Sequence, residues 1–244
     1  MPGILIFIIT LIIILITIYY LIAKSKRRFG DKKSIEKYLS KFNDVTITKL
    51  GKDKLVFQGP NTKAAFIFYP GCFIDQFAYE PLMAALAHRG ILCILHKSTP
   101  LVPIFSYNYS DGIKDKFPEI KNWYIGGHSL GGFCSAYYAI KHLDDFKGVI
   151  LVGAYTDINL VDTKFKILSI YGSEDKVLNM KNYKRYKSLL PKDLVEFVIE
   201  GGCHSYFGMY GIQSGDGTPK ISNEEQIEIT VNKISQLIIN QIIM

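Results

Sequence analysis

One short run constrains this chain more than any other: Trp123-Tyr124-Ile125-Gly126-Gly127-His128-Ser129-Leu130-Gly131-Gly132. Apolar residues lead into it and a helical pattern leaves it, so it reads as a strand, a sharp turn and a helix. Ser129 sits at the turn between Gly127 and Gly131. A serine held there has a strained backbone, and the residues two positions away on either side must be nearly free of side chain. Glycine meets that need. Gly-x-Ser-x-Gly in this strand-to-helix setting presents the serine hydroxyl as a nucleophile. Alone, the pattern recurs by chance. The rest of the chain has to supply a base, an acid and donors for an oxyanion.

Around this turn, strand patterns alternate with helical ones. Residues 45–58 alternate in polarity and break at Gly51-Lys52-Asp53, as a hairpin does. The continuous apolar run at 64–69 reads as a strand buried on both faces, 91–95 as the next buried strand, and 122–126, 148–153, 165–171 and 194–199 as further strands. Helices are expected at 77–88, 111–117, 133–143 and 181–190. Ser222-Asn223-Glu224-Glu225 opens a last one with a capping box. Such alternation predicts an α/β fold, a mostly parallel, doubly wound sheet with helices on both faces. About a dozen residues separate the strands at 148–153 and 165–171. A cap domain does not fit there, so a shallow, open pocket is expected.

The amino terminus obeys a different rule. Residues 3–23 carry no charge and are mostly Ile and Leu, close to the ~20 residues that a membrane-spanning helix needs. Leu21-Ile22-Ala23-Lys24 makes a poor signal-peptide cleavage site, and a core helix is rarely apolar on every face. An uncleaved transmembrane anchor at 1–23 is expected. Lys24, Lys26, Arg27, Arg28, Lys32 and Lys33 follow at once. Basic clusters mark the cytoplasmic flank of a span, so the domain is expected in the cytoplasm. The segment 24–44 reads as a basic juxtamembrane linker with an amphipathic helix, whose stripe Ile35, Tyr38, Leu39 and Phe42 either lies in the interface or packs on the domain. Residues 45–244 are expected to form a single domain that carries the Ser129 turn. From Val45 onward 21 Lys and Arg face 19 Asp and Glu. The net charge of +7 therefore belongs mostly to the anchor's flank, which argues against a nucleic-acid partner. It leaves two readings of the flank, a collar on anionic lipid or a topology signal with no lipid role afterwards. Cys72, Cys93, Cys134 and Cys203 lack metal-ligand spacing and suggest free thiols.

Three further points meet the needs of acyl-transfer chemistry. A serine hydroxyl attacks poorly until a base takes its proton, and imidazole titrates in a suitable range. His204, in Glu200-Gly201-Gly202-Cys203-His204, follows the last strand on a loop able to reach the turn. His96, at a strand end, is placed to line the pocket. His128 lies inside the turn and points away from the serine. The imidazole in turn needs a carboxylate to fix its tautomer. Asp175, in Tyr171-Gly172-Ser173-Glu174-Asp175, stands just past a strand, with Glu174 and Asp157 as alternatives. Two N–H donors are needed for the oxyanion. Leu130, directly after the nucleophile, and Cys72, past the strand at 64–69, are the candidates. No metal or cofactor is called for. Lys97, Phe105, Tyr107 and Tyr206 are further positions able to line the pocket.

With these residues in view, the sequence resembles the α/β-hydrolase superfamily. The likeness is to its small, cap-less, dienelactone-hydrolase-like branch of the alpha/beta hydrolase 5 type. Tyr69-Pro70-Gly71, Gly126 to Gly132, Tyr171 to Asp175, Gly201 to His204 and Gly215-Asp216-Gly217 carry it, in that order. Position 129 holds serine where dienelactone hydrolases proper hold cysteine. The resemblance implies a Ser129–Asp175–His204 triad that cleaves carboxylic esters or related acyl bonds through an acyl-enzyme. The substrate class left open is a small-molecule or a lipid ester. A lipid acyl hydrolase or acyltransferase at the bilayer surface, and a non-catalytic membrane-tethered binding module, are the alternatives.

Overall fold

The computed structural model describes residues 2–97 and 103–243. Eight strands form one sheet in the order β1-β2-β4-β3-β5-β6-β7-β8. They are β1 (Thr46–Leu50), β2 (Lys54–Gln58), β3 (Ala64–Tyr69), β4 (Ile91–His96), β5 (Trp123–His128), β6 (Gly148–Val152), β7 (Lys166–Gly172) and β8 (Val195–Ile199). β1 and β2 form the expected hairpin, β2 runs antiparallel to β4, and the remaining pairs are parallel. β3 to β6 are buried at every residue, which explains their unbroken apolar runs.

Among the described residues six segments are α-helical. They are α1 (Pro2–Lys26), α2 (Lys32–Leu39), α3 (Glu80–His88), α4 (Leu130–Ile140), α5 (Met180–Tyr186) and α6 (Asn223–Ile243). α2, α3 and α6 cover one face, where Tyr38, Leu82, Met83 and Ile234 meet Phe66 and Phe68. α4 covers the other, where Cys134, Ala136 and Tyr138 join a core with Ile67, Ile125 and Val149. The amphipathic segment thus packs on the domain: Tyr38 is wholly buried, and its hydroxyl donates to Glu228 Oε1 of α6 at 2.6 Å. Ser222 caps α6, accepting from Glu225 N–H at its Oγ at 3.1 Å, which is one half of the expected capping box.

Several local expectations shift. The helix expected from residue 77 begins as a 3₁₀ turn, Gln76–Tyr79, and becomes α-helical at Glu80, because Pro81 suits only a first turn. At 111–117 only a 3₁₀ turn forms, Lys114–Lys116. Gly112 there has φ +68°, Pro118 follows, and so short a segment does not sustain a helix.

α1 is the one helix among the described residues long and apolar enough to cross a membrane. Most of its side chains are exposed, Ile4 and Phe7 at 69% and 68%, while Ala23 near its carboxyl end is buried. The loop from β6 to β7 spans residues 153–165 and carries no helix, so no cap stands over the sheet's carboxyl edge at that point.

Glu80 gives the fold a pH dependence. It is buried beside Asp75, and burial first, then the Asp75 charge, push its carboxyl up from 4.5 to about 7. Between those values the folded chain holds a proton that the unfolded chain releases, so stability falls as pH rises through the window. Glu80→Gln removes that loss. The variant is expected to be about 1–2 kcal/mol more stable than wild type at pH 8 and to show no gain near pH 4, read by thermal unfolding.

Candidate active site

The sheet order reverses at β3, so ligands are expected at the carboxyl ends of β3 and β5. Pairing of Tyr69 with Gly127 brings the turn after β3 beside the turn after β5. Ser129 has φ +54° and ψ −126°, and its N–H donates to Val152 O at 2.9 Å. Such a backbone angle is costly for a residue with a side chain, and here the surroundings enforce it. A Cβ built on Gly127 would lie 2.5 Å from the Gly131 backbone, and one on Gly131 would lie 2.2 Å from Tyr69 O. The two glycines flanking the serine are therefore required by close backbone approach.

His204 and Asp175 meet. His204 Nδ1 lies 2.7 Å from Asp175 Oδ2, with side chains 2% and 1% exposed. The other carboxylate oxygen, Oδ1, accepts from Val177 N–H at 2.9 Å and Leu178 N–H at 2.8 Å. These bonds fix the carboxylate so that Oδ2 faces the ring. Glu174 instead pairs with Lys220 at 2.6 Å on the surface. Ser129 and His204 line one cavity of about 550 Å³ with Leu130, Phe133, Asp157 and Leu178 among its walls. Asp157 is thus a wall residue, while Asp175 is the carboxylate on the imidazole. Among the described residues no hydrogen bond joins Ser129 Oγ to His204, a distance that often closes only on substrate.

Leu130 is the first residue of α4, so its N–H has no intrahelical acceptor. Cys72 stands past β3, and among the described residues nothing accepts from its N–H. The neighbouring Gly71 N–H is taken, donating to Tyr79 OH at 3.1 Å. Tyr79 OH also lies 2.7 Å from His128 Nδ1. Because the hydroxyl already accepts from Gly71, its own hydrogen goes to Nδ1; the opposite arrangement would leave a second buried group unsatisfied. Burial, then the nearby His204 charge, hold His128 well below its ordinary pKa, so it lies neutral under the His204 ring, 4.4 Å away between centroids.

Two positioning residues escaped the sequence reading. Tyr79 is one. Tyr79→Phe leaves Gly71 N–H and His128 Nδ1 unpartnered, at an expected cost of about 1–3 kcal/mol in stability. As the turn loosens, kcat is expected to fall about tenfold with little change in KM, measured on a soluble ester. Asp216 is the other. Its Oδ2 accepts from Ser205 Oγ and Ser205 N–H at 2.6 and 2.7 Å, and its Oδ1 from Gly217, His204 and Lys176 N–H at 2.8, 3.2 and 3.4 Å. Burial raises its pKa, but the bonds from Ser205, Gly217 and His204 outweigh that and hold it below the ordinary range. One carboxylate therefore ties the His204 loop to the residue after Asp175. Its signal in the sequence is an aspartate between two glycines, Gly215 and Gly217.

Four other candidates for the pocket, His96, Lys97, Tyr107 and Tyr206, do not line the Ser129 cavity. His96 is buried, with Nε2 3.0 Å from Ser110 Oγ and its ring 4.5 Å from Tyr69; burial first, then Lys54, lower its pKa to about 3. The Phe105 side chain lies outside the described residues.

The comparisons agree with this architecture. Residues 65–228 match the model of the alpha/beta hydrolase family, and the chain belongs to that family. Among solved structures it is similar to a predicted CIB-like hydrolase from Thermoplasma acidophilum: 16% identity, TM-score 0.54, covering 79% of this chain and 99% of that one. It is also similar to carboxyl esterase 2 from the mycorrhizal fungus Tuber melanosporum, at 12% identity and TM-score 0.59, covering 87% and 91%. Est1E from Butyrivibrio proteoclasticus matches at 11% identity and TM-score 0.58, covering 83% and 100%. These likenesses bear on the fold. No curated protein matches the sequence significantly.

Proposed function

We propose that the protein is a membrane-anchored serine hydrolase that cleaves carboxylic esters through an acyl-enzyme, with its domain on the cytoplasmic side. The observation that carries the reading is the buried His204–Asp175 pair, whose His204 lines the same cavity as Ser129 at its strained turn. His204 Nε2 takes the proton of Ser129 Oγ as the oxygen bonds to the acyl carbon. Charge developing on the carbonyl oxygen is met by the Leu130 and Cys72 N–H groups. Asp175 stays ionised and stabilises the imidazolium. His204 then protonates the departing alcohol, and water, activated by the same ring, releases the acid. Two of the solved neighbours, carboxyl esterase 2 and Est1E, support the ester class by their names. The basic flank from Lys24 to Lys33 supports the topology.

The test is a fluorophosphonate probe on the full-length protein in detergent. One adduct is expected, on the peptide that holds Ser129. An unlabelled Ser129 would support the non-catalytic binding module instead.

A further inference from the structure

Resting on the serine-esterase reading, and on α1 as a bilayer span, we infer that the reactive centre works at the membrane–water interface on acyl esters resident in the bilayer. The place of the oxyanion turn beside the carboxyl end of α1 is the first support. Tyr19, Ala23 and Lys26 fall at helical spacing on one stripe of α1. Ala23 is buried at 6% exposure and Tyr19 is half-buried, whereas Tyr20, Leu21 and Ile22 beside them are exposed. The turn that holds Cys72 lies at the carboxyl end of the anchor, because Arg28, two residues past α1, hydrogen-bonds to Phe73 O at 2.9 Å. Tyr19 and Tyr20 precede the first lysine, as interfacial aromatics do at the headgroup level.

The height is also fixed. Directly after α1, Arg28 N–H donates to Phe73 O at 2.9 Å, and Asp75 N–H donates to Arg28 O at 2.9 Å. Arg27 Nη2 meets Asp75 Oδ2 at 2.7 Å, and Asp31 N–H donates to Met209 O at 2.7 Å. Phe73, next to the oxyanion donor, has φ +60°, so this short ladder also clasps a strained turn. A flexible tether would let the domain swing away from the bilayer; this joint holds its site against it.

The surface around the exit completes the argument. Phe29 and Phe77 are 63% and 53% exposed. Their chain neighbours Gly30 and Ala78 touch: a Cβ on Gly30 would lie 3.0 Å from Ala78 N. Exposed aromatics among Lys24, Lys26, Arg28, Lys32 and Lys33 suit the headgroup region of an anionic leaflet. In a lipid, the ester linkage lies at this depth, between acyl chains and headgroups. The bond broken is the acyl C–O bond, the alcohol leaves with the proton from His204, and water supplies the hydroxyl of the free acid.

The experiment uses the full chain in phosphatidylcholine–phosphatidylglycerol vesicles, assayed on a long-chain diacylglycerol in the same vesicles and on soluble p-nitrophenyl butyrate. A flexible Gly-Ser insertion of about 12 residues between Lys26 and Arg27 frees the domain to drift by about 19 Å. That variant is expected to lose at least about tenfold on the diacylglycerol while holding its rate on the butyrate, which reports an intact fold. In parallel, Phe77→Trp is expected to be quenched by bromolipids, against the buried Trp123 as background. Equal diacylglycerol rates with and without the insertion, no diacylglycerol hydrolysis beside active butyrate hydrolysis, or an unquenched Trp at 77 would each overturn the interfacial inference and leave the esterase reading standing. Failure on both esters, with Ser129 unlabelled by the probe, would overturn the esterase reading and this inference with it.

Discussion

Ser129→Ala is expected to lower kcat on a soluble ester by at least about 10⁴-fold while leaving thermal stability within ~0.5 kcal/mol of wild type. The second half makes the first informative. Alanine removes Oγ alone, and it meets φ +54° with no more strain than serine does. Ser129 N–H still donates to Val152 O, and the glycines at 127 and 131 still fit against Tyr69 and one another. Any loss is then chemical. What survives is the contribution of the oxyanion donors and of substrate binding, which hold a carbonyl but have no nucleophile to offer it. Turnover by the variant above a few per cent of wild type would sink the acyl-enzyme route. Purified protein, a p-nitrophenyl ester and a parallel unfolding curve decide it.

The site was legible where chemistry is written locally. Gly127, Ser129 and Gly131 lie within one turn, and steric demand alone fixes their spacing. Asp175 and His204 each follow a strand, β7 and β8, so their order along the chain points both to one edge of the sheet, although β8 is interrupted by Glu196 and mostly exposed. The sheet was legible too, since a strand buried on both faces has little choice but to be apolar throughout. What the sequence hid is long-range and polar. Nothing near Tyr79 says that its hydroxyl receives Gly71 N–H and reaches His128, and nothing near Asp216 says that it clasps both the His204 loop and the backbone after Asp175. Arg27 and Arg28 read as charge for a lipid headgroup, yet Arg27 pairs with Asp75 and the Arg28 backbone ladders with Phe73 and Asp75. His96 looked available at the end of a strand. It is instead spent in the core, because Ser110 and Tyr69 enclose it. Short helices were the weakest readings, as at 111–117, where Gly112 and Pro118 outweigh an apolar period too brief to nucleate.

Asp175→Asn is expected to lower kcat by about 10⁴-fold with KM nearly unchanged and the fold intact, and the hydrogen bonds around Asp175 say why. Oδ1 accepts from two backbone donors, Val177 N–H and Leu178 N–H. In the amide variant only the carbonyl oxygen can take that place, so the amide nitrogen must face His204 Nδ1, where Oδ2 now lies at 2.7 Å. An N–H there demands an acceptor, and Nδ1 can accept only if the ring proton moves to Nε2. Nε2 then carries the hydrogen that it should be removing from Ser129, and the base is blocked without any residue leaving its position. Glu174→Gln is the matched control. Its carboxylate serves Lys220 on the surface, so its removal is expected to leave kcat within about twofold. Both variants are assayed on the same ester, with thermal unfolding to confirm that each is folded. An Asp175→Asn enzyme that kept a tenth of wild-type kcat would remove Asp175 from the triad, and Asp157, on the wall of the same cavity, would be the next carboxylate to test.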